Sequence, residues 1–249
     1  MSLAELTSRS DYFRGASEVI QRVPTARDEA EAVALLREGS ARLGADSAAF
    51  ASFIRDDPSH ESYRFLLACD PVWCCEYERR AWYANDPWLN YALNHSEPAR
   101  ASEIAVSPQQ RAVLELAEEF GIRSAVIVPA PSSGGLTRVG VLCLGSSTAG
   151  FFEDEGFVAL KVAARSLAME LHEWWIGRIK RDLVVNAHIT PDDLILLRHE
   201  RVGHRTKKIA TELDVSPSSI DTRFQRINAK LGVPNRAAAA RLAAEYGLI

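Results

Sequence analysis

Apolar and polar positions alternate along this chain with two periods, and the change of period divides it. Over 26–43 apolar residues recur at helical spacing, with Val33, Leu35, Leu36 and Leu43 on one stripe and Gly44 behind them, which predicts an amphipathic helix. Strand-like runs follow at Ser47–Ile54 and Tyr63–Cys69, parted by the polar turn Asp56-Asp57-Pro58-Ser59. A helix is expected over 73–84, and Asp86-Pro87 starts another. Ser107-Pro108 reads as an N-cap followed by proline at the first helical position, opening a helix to Phe120 that Gly121 ends. Ser124–Ala130 and Val139–Gly145 are apolar strands joined by a Pro/Ser/Gly turn, and a long helix covers about 153–175. Helices segregated from strands in this way predict an α+β chain whose N-terminal part is an α/β/α sandwich on a mostly antiparallel sheet.

Residues 177–188 are mixed, basic at the start, and break at His188, so they are expected to link a first domain, 1–176, to a second, 189–249. The second shows only short helices. Thr190 caps, Pro191 takes the first helical position and Asp193 completes a capping box; Leu194 and Leu197 share a face, and Gly203 ends the helix. Thr206–Leu213 is a short second helix with Ile209, Ala210 and Leu213 inward. After a tight turn at Asp214-Val215, Ser216-Pro217 opens a third, in which Ile220, Phe224, Ile227 and Leu231 form the buried stripe. The outward face is then Ser218, Thr222, Gln225, Arg226 and Ala229, with Arg223 at its flank. Asn235 caps a fourth, Ala-rich helix closed by Gly247. A generic bundle would show the same stripes. The order of capped helix, short helix, tight turn and polar-faced helix favours a four-helix helix-turn-helix domain that reads a major groove.

Charge sharpens this division. The chain has 249 residues, 47% hydrophobic and 25% charged, with a net charge of −4, a composition that can fill a sizeable core. Residues 189–249 carry ten basic and seven acidic side chains, a balance of +3 that leaves −7 on the rest. A small basic unit on an acidic body suits a polyanion at one end only. No apolar run reaches the roughly 18 residues of a membrane span, and the N-terminus has no secretory pattern, so a cytoplasmic location without membrane contact is expected. Cys69, Cys74, Cys75 and Cys143 have no histidine at zinc-site spacing and read as reduced thiols, not as a metal or disulfide framework.

Two blocks resemble one family. Ile189-Thr190-Pro191, Leu197, Gly203, Ile209-Ala210, Val215-Ser216, Ile220, Lys230-Leu231-Gly232-Val233 and the terminal Gly247-Leu248-Ile249 resemble the DNA-binding domain of the LuxR quorum-sensing regulators, with Asp193 where Glu is usual. Trp73, Tyr77, Asp86 and Pro87, spaced W-x3-Y-x8-D-P, together with Phe120-Gly121-Ile122-Arg123-Ser124, are similar to that family's autoinducer-binding domain. The resemblance implies a transcription regulator, not an enzyme, which needs no cofactor and binds an N-acyl-homoserine lactone. It also implies a homodimer on a pseudo-palindromic double-stranded operator, with RNA polymerase as a further candidate partner. In that family the Trp and Asp positions anchor the lactone.

The side-chain chemistry suits that ligand. Trp73 offers an indole N–H to a lactone carbonyl, and ionised Asp86 is an acceptor for an amide N–H. Tyr77 can donate to the acyl carbonyl or wall the pocket. The chain departs from the family at Ala101, where Trp is usual, at Ala125, where Gly is usual, and at Trp88, where aliphatic residues are usual. Trp88 and Ala101 are expected to reshape the tail end of the pocket for a branched or aromatic acyl group, and Ala125 and Cys143 complete the expected lining. On DNA, Ser218, Thr222 and Gln225, with Asp221 beside them, are candidates for base edges; Lys207, Lys208, Arg223 and Arg226 are candidates for phosphates. Three rivals stand beside this reading. The chain could answer a non-lactone molecule or none, could have a purely structural or interaction role, or could be a cysteine hydrolase. The last lacks a histidine marked by any motif as a base for the thiol.

Overall fold

The computed structural model describes residues 1–55, 62–132 and 138–249. The two turns expected at 56–59 and after Pro131 lie largely outside the described residues. The chain divides into two compact units that change over between Trp174 and Trp175.

The first unit opens with two helices not expected from the sequence, α1 (Leu3–Thr7), begun by a Ser2–Glu5 capping box, and α2 (Tyr12–Ile20), which buries Tyr12, Ala16 and Val19 at i, i+4 and i+7. Helix α3 (Glu29–Arg42) is capped by Asp28 and buries Ala32, Leu35, Leu36 and Gly39. These positions form one stripe at i, i+3, i+4 and i+7; Val33, expected on it, is only half-buried, one position round from Ala32. Strands β1 (Ser47–Ile54), β2 (Arg64–Ala68), β3 (Ala99–Arg100), β4 (Ser124–Pro131) and β5 (Arg138–Ser146) form one sheet in the order β2-β1-β5-β4-β3. Every pairing in it is antiparallel. Between β2 and β3 lie α4 (Pro71–Arg79) and α5 (Pro87–Asn94); α6 (Arg111–Glu119) precedes β4, and α7 (Phe157–Asn186) follows β5.

Alternation along the strands sends side chains to two layers. Phe50, Gly140 and His172 of α7 meet on one face, and Gly39 lets α3 approach Leu167 of α7 there, since an added Cβ would lie 3.1 Å from Leu167. On the opposite face Ala51, Phe53, Ala125, Ile127, Val139 and Val141 pack with Trp73, Trp88, Leu89, Ala92, Val113 and Ala117 of α4, α5 and α6. This is the expected α/β/α sandwich. The register puts Ala51 beside Val141 and Ile127 beside Cys143, so Cys143 belongs to this second face.

Several bounds differ from expectation for local reasons. The run over 73–84 is not one helix: it starts earlier, where Asp70 caps Val72 N–H ahead of Pro71, and stops where Ala81 takes φ +50°. Ser107 does not cap α6. It opens a turn in which Gln110 Oε1 accepts from Ser107 N–H, and the helix begins at Arg111. Helix α7 continues past Trp175 through the stretch expected to be a linker, and the chain turns at His188 with φ +48°.

In the second unit α8 (Pro191–Arg201), α9 (Thr206–Glu212), α10 (Pro217–Leu231) and α11 (Arg236–Glu245) are the four expected helices. Thr190 and Asp193 close the capping box, and Ser216 and Asn235 cap α10 and α11 through Ser219 N–H and Ala238 N–H. Leu196, Leu197, Ile209, Ala210, Ile220, Phe224 and Ile227 pack with Ala239, Ala240 and Ala243. Leu197 is fully buried, Leu194 on its expected face is only partly buried, and Leu196 joins the core instead. Asp214, at φ +51°, makes the tight turn between α9 and α10; Asp tolerates this left-handed region better than most residues. Among the described residues no helix is long and apolar enough to cross a membrane.

Candidate functional site

The caps that start α4 and α5 bring Trp73, Tyr77 and Asp86 together. Asp86 has its carboxylate at the first turn of α5, where Oδ1 accepts from Trp88 N–H at 2.7 Å and Leu89 N–H at 3.3 Å. Its other oxygen accepts the Tyr77 hydroxyl of α4 at 2.6 Å. The Tyr77 ring lies 5.5 Å from that of Trp73, one turn earlier on the same helix face. Trp73 is 7% exposed and Asp86 4%. A carboxylate has about four acceptor positions, and three donors reach this one, so one position is left for a further donor.

Burial dominates the electrostatics of this corner. It raises the Asp86 carboxyl above its usual range, against the opposing pull of the Tyr77 hydroxyl and the two backbone N–H groups. Burial, together with the Asp86 charge, pushes the Tyr77 phenol and the Cys143 thiol well up, so neither ionises at neutral pH. Cys143 is therefore an apolar wall group and not a nucleophile.

The remaining expected lining residues also reach this cluster. Trp88 and Ala125 are buried in it, and Ala101, in a 3-10 turn after β3, is partly buried against it. Tyr77 differs from expectation in one respect: its hydroxyl proton is already given to Asp86 and is not free for a ligand carbonyl. Trp82, not singled out from the sequence, and Phe120, read there only as a helix end and part of a family motif, also reach the cluster, their rings 6.3 and 6.0 Å from Trp73. Sequence reading missed the Trp88 indole Nε1, a buried donor with no partner among the described residues. Cys69 and Cys74 lie with their sulfurs 3.1 Å apart, both as free thiols.

On the helical unit, Ser218, Asp221, Thr222, Gln225 and Arg226 are all exposed along α10, as are Lys207 and Lys208 on α9; Arg223 is partly buried. Thr222 Oγ1 donates to Ser218 O at 2.9 Å, which turns its lone pairs outward, and Asp221 accepts from Thr206 Oγ1 at 3.4 Å. Lys208 is held by His204 Nε2 at 2.9 Å and Glu212 Oε1 at 3.7 Å.

Both halves match known families. Residues 28–174 match the autoinducer binding domain, and residues 196–243 match the bacterial regulatory proteins of the luxR family. The chain belongs to the LuxR-type transcription regulators. That family consists of regulators, not enzymes, and this LuxR-type regulator joins a small-molecule-binding domain to a DNA-binding helix-turn-helix. Solved structures with the same fold include SdiA in complex with octanoyl-rac-glycerol, at TM-score 0.74 and 17% identity over 97% of this chain and 98% of that one. SdiA of Escherichia coli in a second crystal gives 0.73 and 18% over 96% and 99%. The N-acylhomoserine lactone dependent factor CepR2 of Burkholderia cenocepacia gives 0.55 and 16% over 68% of this chain and 96% of that one. No curated protein matches the regulator by sequence.

Proposed function

We propose that this regulator senses an N-acyl-homoserine lactone in the corner between the sheet and α4, α5 and α6, and that occupancy controls binding of its helix-turn-helix to DNA. The observation that carries the reading is the Tyr77–Asp86 pair beside Trp73. A buried carboxylate with one acceptor position left meets a large indole on an apolar sheet face. An amide N–H would go to Asp86, the lactone carbonyl to the Trp73 indole, and the acyl carbonyl to the unpartnered Trp88 Nε1. Trp88 would then read a polar group as well as shape the tail pocket. With Ala101 in place of a large ring, branched or aromatic acyl groups should fit better than straight ones.

The DNA-reading half follows from the exposed face of α10. Ser218, Thr222 and Gln225 would meet base edges, with Asp221 beside them, and Lys207, Lys208, Arg223 and Arg226 would meet phosphates. Two copies on half-sites one helical turn apart would read a pseudo-palindrome. The bound ligand controls this only if it prefers one conformational state.

The test is a titration of the purified chain with a panel of lactones, followed by tryptophan fluorescence. Asp86→Asn should weaken binding at least about tenfold while leaving the fold intact, because the amide nitrogen replaces an acceptor with a donor. Unchanged affinity removes Asp86 from the site. Tighter binding of every linear chain than of any branched or aromatic one removes the proposed tail preference.

A second reading has its own support: a structure of the same fold, SdiA, holds an acylglycerol. Hydroxyl donors of such a molecule would also suit Asp86. Octanoylglycerol in the same titration separates the readings: tighter binding of a lactone supports the first, and tighter binding of octanoylglycerol the second.

A further inference from the structure

Three ligand-type atoms converge where α8 turns into α9. His199 stands in the last turn of α8, His204 follows Gly203 in the connection, and Glu212 is the last residue of α9. His199 Nδ1 lies 2.9 Å from His204 Nδ1 and 3.3 Å from Glu212 Oε2. His204 Nδ1 lies 4.0 Å from the same oxygen. The three separations bracket the roughly 3.3 Å between donors around a tetrahedral ion with bonds of about 2.0 Å, so small side-chain shifts would bring all three to zinc-bonding distance.

Protons alone satisfy the cluster poorly. A neutral imidazole has one donor and one acceptor nitrogen, and an ammonium is donor only. Lys208 Nζ faces His204 Nε2 at 2.9 Å, so that nitrogen must accept and the His204 proton must sit on Nδ1. That proton reaches His199 Nδ1, which then accepts and has no proton to offer Glu212 Oε2. A lone pair is left against a carboxylate. Moving the protons the other way sets His204 Nε2–H against the ammonium instead.

We propose that His199 Nδ1, His204 Nδ1 and Glu212 Oε2 bind one divalent transition-metal ion of the zinc class, with solvent in the fourth position. Two imidazoles and one carboxylate are a donor set for such an ion, whereas magnesium and calcium prefer all-oxygen shells. The ion turns three converging lone pairs from a conflict into a coordination shell. It also fixes the connection between α8 and α9 from both ends. His204 bound through Nδ1 carries its proton on Nε2, so Lys208 loses that acceptor and turns outward. Lys208 is one of the phosphate contacts proposed above, and this last consequence alone depends on that reading.

Cobalt(II) titration of the full chain tests the site, because cobalt reports its ligands by colour. The expected result is one bound equivalent with visible d–d bands and no thiolate charge-transfer band, which sets the site apart from the cysteines of the other unit. His204→Ala and Glu212→Gln each weaken binding at least about tenfold, and circular dichroism checks that both variants stay helical. Glu212 is exposed, so its variant tests the site even where the histidine variant fails to fold. Lys208→Ala, which removes the competing donor, tightens binding. No bound cobalt, a thiolate band, or unchanged affinity in a folded His204→Ala or Glu212→Gln variant overturns the assignment.

Discussion

Tyr77 donates its hydroxyl to Asp86 Oδ2 at 2.6 Å, and this one bond joins the last turn of α4 to the capped end of α5. Both residues are then fixed beside Trp73 before any ligand arrives.

Tyr77→Phe keeps the ring and removes the donor. A buried carboxylate short of a partner costs about 1–3 kcal/mol, which should appear as a lower urea midpoint with an unchanged slope. The pH dependence should also change. Asp86 is held above its unfolded value of 3.8, so its ionised form opposes folding, and stability falls as pH rises from 3.8 through the folded value. Removing the Tyr77 hydroxyl raises the folded value further and widens that fall. An unchanged midpoint and pH profile would mean that the bond contributes nothing.

On the opposite face of the sheet His172 should make the fold acid-sensitive. The Ser132 hydroxyl donates to Arg138 O at 2.5 Å, so the 2.7 Å contact of His172 Nε2 with Ser132 Oγ is a bond donated by Nε2–H. Burial, with Arg138 nearby, lowers His172 from 6.5 to about 4. The unfolded chain therefore takes up a proton that the folded one refuses. Stability is lost as pH falls from 6.5 to about 4, by roughly 1.4 kcal/mol per unit at most. Equilibrium unfolding at stepped pH should show this slope in the parent and lose it in His172→Gln.

Gly140→Ala should destabilise the same layer. The added Cβ would lie 2.7 Å from His172 Nδ1 and 2.8 Å from the Phe50 ring, both in the core. Overpacking of this kind costs about 1–3 kcal/mol. Thermal unfolding measures it, and a melting temperature equal to the parent's would show that His172 can step aside freely.

Two substitutions on α10 should separate positioning from reading. Arg226→Ala should weaken binding alike on every DNA sequence and reduce the salt slope by about 1. Gln225→Ala should cost about 1–3 kcal/mol at one base position and leave the salt slope alone. Fluorescence anisotropy against an operator and its single-base variants measures both, and interchanged behaviour would reverse the two assignments.

The sequence by itself determined where most elements begin and which faces they bury. Thr190-Pro191, Ser216-Pro217 and Asp86-Pro87 act through bonds to residues two or three positions away, and the stripe of α10 follows from the helical repeat alone. It also put Trp73 and Tyr77 on one helix face. Tertiary packing decided the rest. Whether Tyr77 meets a ligand or Asp86, whether Trp88 Nε1 finds an acceptor, and whether His199, His204 and Glu212 share a corner all depend on the angle between neighbouring helices. Contacts across elements set that angle, and no local period carries it. Helix α7 overran its expected end for a local reason instead: no proline follows Trp175 before Asn186, and a single glycine, Gly177, weakens a helix without stopping it.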